Sequence, residues 1–228
     1  MRSVAVIVPV LGRPQNALPL ARSLADSIRQ AALVDLVFVC SPEDDEAQYN
    51  ACMSTGAIVV EANWRSGPGD YARKIQLGYE LTDAPLVLCA ADDVCFHAGW
   101  LEAVCRVADE FDVGVIGTND LANPSVIAGL HATHPVVRRC YIDRYGGSVG
   151  EPGVVYHHGY DHQYVDVELV QTAISRGCYH HCHEARVEHR HPIFDRTVAR
   201  DATYRKGQAE GLADRRLFDS RKHLWGAA

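Results

Sequence analysis

No stretch of this 228-residue sequence stays apolar long enough to cross a bilayer, which takes about 20 consecutive residues, so a membrane-spanning helix is excluded. No secretion signal is expected either. The apolar run Val4-Ala5-Val6-Ile7-Val8 is cut by Pro9 before any small-residue cleavage site and reads as a first core strand. Excess positive charge is also lacking: the formal net charge of -7 argues against a general polyanion binder. Basic residues do gather late, between Arg186 and Lys222, and leave room for a local basic face near the C-terminus. There is no internal repeat and no low-complexity tract, which favours a single domain. Without a secretion signal, the eight cysteines are expected to be reduced thiols of a cytoplasmic protein. Cys40, Cys89 and Cys105 lie in apolar runs or periodic helices, where free cysteine acts as a small hydrophobe.

Two phosphate-binding signatures are absent. A dinucleotide fold places Gly-x-Gly-x-x-Gly after its first strand so that backbone can approach the pyrophosphate, whereas this turn reads Val10-Leu11-Gly12-Arg13-Pro14. Gly67-Pro68-Gly69-Asp70 lacks the Lys-Ser/Thr that completes a Walker loop. Any phosphate on this chain must be neutralised by something other than a glycine cradle.

What is present is the composition of an ordinary globular protein, 47% hydrophobic and 22% charged, in a chain of a length that suits one α/β domain. Short β-branched runs alternate with segments of helical period, the pattern of a mostly parallel sheet flanked by helices. Strands are expected at Val4 to Val10, Val34 to Cys40, Ala57 to Val60, Pro85 to Ala90 and Val113 to Gly117. Leu18, Ala21, Leu24, Ile28 and Ala31 mark one helix, and Leu101, Val104, Ala108 and Phe111 another. A third runs from Gln163 to Arg176 with Val167, Val170 and Ile174 on one face, and the polar segment Thr197 to Trp225 reads as a surface helix or arm. Right-handed crossovers put the C-terminal strand ends on one edge, where such sheets bind ligands. That edge would carry Gly12-Arg13, Glu43-Asp44 and Asp92-Asp93.

The fourth strand ends abruptly in Ala91-Asp92-Asp93-Val94. Adjacent carboxylates where an apolar strand leaves the core should meet solvent or a cation, because burying them unpaired is costly. Oxygen ligands there suit Mg2+ or Mn2+. A helix cap for the segment near Gly99-Trp100 is the plainer alternative.

Several pieces taken in order resemble the family 2 glycosyltransferases, enzymes of the GT-A fold. Val6-Ile7-Val8-Pro9-Val10 with Arg13 and Pro14 is similar to their opening strand and nucleotide-facing turn. Gly69 to Lys74, leading to Ala84-Pro85-Leu86-Val87-Leu88, resembles the stretch before their metal motif, and Ala90-Ala91-Asp92-Asp93 stands in the place of Asp-x-Asp-Asp. Val165-Asp166-Val167-Glu168-Leu169 with Arg176-Gly177 is similar to their Glu-Asp-x-Asp-Leu helix, and Val187-Glu188-His189 to a late Val-x-His. The resemblance spans roughly Val4 to His191 and departs from the pattern at Ala90 and Val165. A GT-A-like unit over residues 1–191 and a helical extension over 192–228 follow as expectations.

The resemblance implies a nucleotide-diphosphate sugar donor, an acceptor hydroxyl, Mn2+ or Mg2+, and inversion at the sugar carbon. It assigns metal binding to Asp93 and His189, the catalytic base to Asp166, and donor binding to Pro9, Arg13, Glu43, Asp44, Arg73 and Asp92. Glu43 or Asp44 would read the nucleobase; both also suit a solvated helix start. Asp166 and Glu168, read on periodicity alone, are polar positions of an amphipathic helix. The acceptor could be a sugar, a small molecule or modified DNA, met by the loops from Asn119 to Tyr160 with Arg138, Arg139, Tyr156, His157, His158 and Tyr160. Cys178 to His183 is rich in zinc-type ligands, yet its spacing fits no standard zinc pattern. As a strand it would send Cys178, His180 and Cys182 one way and Tyr179, His181 and His183 the other. A nucleotidyltransferase, or a noncatalytic sugar- or nucleic-acid-binding module on a decayed transferase fold, are the competing readings.

Overall fold

Val4–Pro9 forms the first strand, β1, and its residues up to Val8 are fully buried. A strand covered on both faces must be apolar throughout, which accounts for its unbroken β-branched run. The computed structural model describes residues 3–28, 34–44 and 46–225, with the side chains of 206–210 left aside. After β1 come α1 (Pro14–Ser27), β2 (Val34–Cys40), α2 (Glu46–Met53), β3 (Ile58–Glu61), α3 (Asp70–Glu80), β4 (Leu86–Cys89) and β5 (Val94–Phe96). The chain continues through α4 (Trp100–Glu110), β6 (Val115–Asn119), α5 (Pro124–Ile127), β7 (Val136–Arg138) and α6 (Arg139–Tyr145). It closes with α7 (Val165–Ser175), β8 (Tyr179–His189) and α8 (Ala202–Arg221).

The strands form one sheet in the order β3-β2-β1-β4-β7-β6-β8-β5. Pairs β1/β2, β1/β4, β2/β3 and β6/β8 are parallel, while β7 joins antiparallel between β4 and β6, and β5 antiparallel beside β8. The N-terminal half is thus the parallel sheet that the alternation of strands and helices implies. The short strands β5 and β7, three residues each, carry too few residues to leave a periodic signal.

Strand alternation divides the core into two layers. Val4, Val6 and Val8 of β1 pack with Leu20 and Leu24 of α1 and with Trp100, Leu101 and Val104 of α4. Ala5 and Ile7 face the opposite way, toward Ile75 of α3, Ile142 of α6, and Leu169 and Ala173 of α7. The buried stripe of α1 is Ala17, Leu20, Leu24 and Ser27, so Leu18, expected inside, stands 39% exposed. Ala31 lies outside the described residues. On α7 the buried stripe runs through Val165, Leu169 and Ala173, one residue per turn, and this turns Ile174 outward. The strand expected from Val113 begins instead at Val115, after Gly114 passes against the Tyr141 ring.

Gly78 sets how closely α3 approaches β1, since a Cβ there would lie 2.5 Å from Ile7 Cγ2. Alanine should raise helix propensity by about 1 kcal/mol, but overpacking a full core costs about 1–3 kcal/mol. Gly78→Ala is therefore expected to destabilise the fold, measured as a lower denaturant midpoint; a raised midpoint would show that the α3/β1 contact has slack.

Arg221 and Asp214 tie the C-terminal part of the polar tail to the body of the fold. Arg221 donates to both Glu168 oxygens (2.9 and 2.7 Å), and the Asp214 carboxylate accepts from the backbone N–H groups of Asp161, His162 and Gln163. Glu168 is 1% exposed, and Arg221, Ser148 and Tyr160 all donate to it. A buried carboxylate is tolerable only with such partners, so Glu168 is a structural anchor for α8.

Candidate functional site

β1 and β4 run parallel in register, Ile7 beside Cys89, so the chain leaves both at the same edge. Pro9, Arg13, Asp92 and Asp93 meet there in a cleft of about 820 Å³, which Asp166, His189, His191 and Tyr204 also line. Gly12 turns the chain with a φ of +62° and delivers Arg13 as the residue capping α1, followed by Pro14 in its first turn. The Arg13 N–H donates to Gln48 Oε1 at 2.6 Å.

Arg13 is 5% exposed and holds three carboxylates. Its guanidinium donates to both oxygens of Asp201 (2.7 and 3.0 Å) and to Asp92 Oδ1 (3.0 Å), and lies 3.6 Å from Asp93 Oδ2. Its Cζ sits 3.9 Å above the Tyr204 ring. Burial works against its charge, but Asp201 and Asp92 more than offset this and its pKa is raised. Burial also raises Asp92 well above the usual carboxylate range, helped by the neighbouring charge of Asp93 and opposed by Arg13. Asp93 moves the other way: burial would raise it, yet His189 outweighs that and holds it ionised. One carboxylate of the pair is kept charged at the expense of its neighbour.

Antiparallel pairing of β5 with β8 sets Val94 opposite His189, which brings the imidazole beside Asp93. The backbone fixes the approach, with Arg190 N–H donating to Asp93 O and His189 N–H to Asp120 O. His189 Nε2 lies 3.3 Å from Asp93 Oδ1, an ion-pair contact that leaves Oδ1 without a hydrogen bond. His134 comes from the loop before β7, its ring edge-on to His189 at 4.7 Å, and its Nδ1–H donates to Cys89 O. One ligand atom from each of Asp93, His134 and His189 falls within 4.8 Å of the others. Three buried atoms of this group, Asp93 Oδ1, His134 Nε2 and His189 Nδ1, have no hydrogen-bond partner. Buried polar atoms left unsatisfied together are costly unless something binds them. Burial and the His189 charge push His134 down to about 4, so it is a neutral imidazole at pH 7, the form that ligates metals. The set N, N, O fits a divalent cation such as Mn2+.

Asp166, in the first turn of α7, lies on the same cleft. Its Oδ2 is 3.1 Å from His131 Nε2 and its Oδ1 accepts from the Val167 N–H at 2.9 Å. Burial would raise the carboxyl, but the His131 charge outweighs it and Asp166 is held below the usual range; His131 is raised in return, against its own burial. Tyr164, the residue capping α7, takes a left-handed φ of +68° and packs on Phe218 of α8 at 5.0 Å. A non-glycine residue in that region is strained and needs such support.

Not every residue expected at the site reaches it. Glu43, Asp44 and Arg73 do not line the cleft. Glu43 accepts from Ser66 N–H, and Asp44 accepts from Ser41 and Gly12 N–H groups, so Asp44 braces the turn before Arg13. Arg73 stacks over Trp64 at 5.0 Å and donates to Pro68 O. Lys74 does line the cleft, although its Nζ is spent on Val10 O (2.8 Å) and Asp70 (3.1 Å). The supposed acceptor lining is largely structural. Arg138 donates to Ala108 O and Phe111 O, Arg139 to Ala84 O and Tyr79 O, and Tyr156 and Tyr160 are buried in the core. His131, His134, Asp201 and Tyr204 enter the site unannounced, because an isolated histidine in a loop or a tyrosine on a polar helix has no local pattern.

Cys178 packs against the layer of α7, whereas Cys182 is buried in the layer of α4. His180 stacks on Phe111, while Tyr179 belongs to the α7 layer. The alternation expected of the segment therefore holds from Tyr179 to Cys182 but not at Cys178, which precedes the strand. Thiols in opposite layers do not share an ion. Purified protein should retain no zinc on these two cysteines; one zinc per chain lost in Cys178→Ser/Cys182→Ser would contradict this placement.

No protein-family model and no curated protein sequence matches the chain. Solved structures match its fold. A mannosyltransferase from Pyrobaculum calidifontis, solved with GDP-Man and Mn2+, superposes with a TM-score of 0.62 at 16% identity over 82% of this chain. The chain spans 56% of that enzyme's length. Glucosyl-3-phosphoglycerate synthase from Mycobacterium tuberculosis gives 0.64 at 14% identity, covering 100% of this chain and 82% of its own. TarS of S. aureus gives 0.62 at 14% identity, over 83% of this chain and 37% of TarS. At such identities the likeness is one of fold. The chain has the GT-A fold, the scaffold of nucleotide-sugar glycosyltransferases.

Proposed function

We propose that the chain is a glycosyltransferase that moves a sugar from a nucleoside-diphosphate sugar to an acceptor hydroxyl, with inversion at the anomeric carbon. The observation that carries this reading is the group Asp93, His134 and His189, which brings one ligand atom from each within 4.8 Å of the others at the ligand-binding edge of a GT-A sheet and leaves a buried polar atom on each without a hydrogen bond. Fold neighbours were solved with GDP-Man and Mn2+, and with UDP and Mn2+ or Mg2+, which supports a divalent ion here. When bound, such an ion supplies positive charge against the departing diphosphate. Asp93 and His189 would hold it, with His134 as a third ligand. Pro9 and Arg13 wall the donor side, and Arg13 adds a positive charge there. Asp92 keeps Arg13 in place.

Asp166 is the base. Its carboxylate takes the acceptor hydroxyl proton as the oxygen bonds to the anomeric carbon, and the bond from that carbon to the diphosphate breaks. Direct displacement of this kind inverts the configuration. The acceptor is a sugar, a small molecule or modified DNA, and Asn123, His131 and Thr133 line the cleft near Asp166.

His131 controls the protonation of Asp166. With His131→Gln the opposing charge is gone and burial dominates, so the carboxyl pKa rises. The acid limb of the kcat/KM profile should move to higher pH; an unmoved limb would separate His131 from the base. The function itself is tested by incubating the protein with UDP-, GDP-, dTDP- and CDP-sugars and Mn2+. Slow release of one nucleoside diphosphate to water, lost in Asp93→Ala, is expected, and no release from any donor would count against catalysis.

A further inference from the structure

The ladder that presents His189 to the cleft carries a second set of ligand-type side chains on its other face. Alternation puts Cys95 and His97 on one face of β5 and its continuation, and the register places Glu188 of β8 directly opposite Cys95. Val94, Phe96 and Val187 point the other way, into the core. One ligand atom from each of Cys95, His97 and Glu188 lies within 4.8 Å of the other two, and His97 Nε2 is 3.0 Å from Glu188 Oε2. β5 is the edge strand of the sheet, and the side chains of His97 and Glu188 are 35% and 33% exposed, so the group is open to solvent.

We propose that Cys95, His97 and Glu188 form a surface zinc site, separate from the cleft. The donor chemistry decides the metal: a thiolate, an imidazole and a carboxylate suit Zn2+, whereas Mn2+ and Mg2+ prefer oxygen. Three protein ligands leave the fourth tetrahedral position to water. Without metal, His97 and the Arg190 guanidinium, 3.6 Å from Glu188 Oε2, are the partners of that carboxylate, and Arg190 is displaced when the ion binds. The strand pairing supplies the rigidity, since two of the three ligands sit in regular β-structure and the third follows at once. This proposal does not depend on the glycosyltransferase reading, because no cleft residue is a ligand.

The test titrates Co2+ into reduced, metal-free protein and follows the near-ultraviolet thiolate-to-cobalt absorption. One Co2+ per chain should contribute to that band whatever the cleft takes up, Zn2+ should displace it, and Asp93→Ala should retain it because no cysteine among the described residues lines the cleft. Cys95→Ser should abolish the band, and Glu188→Gln should weaken Co2+ binding by more than about 100-fold, given that even outer-shell partners of metal ligands are worth about 10–100-fold. Circular dichroism confirms that each variant is folded. A wild-type protein that binds Co2+ without a thiolate band, or a band that survives Cys95→Ser, overturns the proposal.

Discussion

Asp166→Asn should leave a folded protein that binds its donor normally and transfers sugar at least about a hundredfold more slowly, the usual scale for losing a general base. The amide keeps the size of the carboxylate and can still accept from the Val167 N–H, so the start of α7 should hold. What it cannot do is take a proton. The donor and ion are held by other groups, so kcat falls while donor affinity stays. Removing the partner charge of His131 has a cost, since its imidazole is left facing an amide, and its raised pKa should fall as burial goes unopposed by Asp166. A variant that transfers at the wild-type rate, or a product of retained configuration, would return Asp166 to the role of a polar residue on α7.

Asp93→Ala is expected to abolish the Mn2+-dependent part of nucleoside-diphosphate binding. Asp93 meets His189 on one oxygen and the Tyr204 hydroxyl on the other (2.8 Å), so one truncation dismantles the ion's position. The fold should tolerate the change. His189 loses the largest charge that raises it, so burial drives its pKa down, and Asp92 loses the like charge that adds to its own upward shift. Neither is left as an uncompensated buried ion, the situation that makes removing half a buried pair so destabilising. Calorimetric titration with Mn2+ present should show affinity falling to the metal-free level, and unchanged affinity would remove Asp93 from the site.

Much of the fold could be read along the chain, because β1, β4 and the second half of β2, Val37 to Cys40, are buried on both faces and parallel strands of that kind are continuous apolar runs. The edge at which Arg13, Asp92 and Asp93 meet follows from the same strands and the right-handed crossover rule. What stayed hidden depends on contacts distant in sequence. His131 meets Asp166, 35 residues on, and Tyr204 reaches Asp93 across 111 residues. The residues that do not line the cleft have a common form as well. Glu43, Asp44 and Arg73 carry the right chemistry at roughly the right place, but Ser66, Gly12 and Trp64 engage them first. Arg138 and Arg139 look like a basic lining and are instead bonded to backbone carbonyls around α4 and after α3.

Titration of wild-type protein with UDP, GDP, dTDP and CDP, each with Mn2+ and again in excess chelator, tests the central claim most directly. One nucleotide should bind and raise the melting temperature only with Mn2+; at a ligand concentration about 100 times its Kd the stabilisation should be about 2.7 kcal/mol. Equal binding with and without the ion, or no binding by any of the four, would contradict a metal-dependent nucleotide-sugar site.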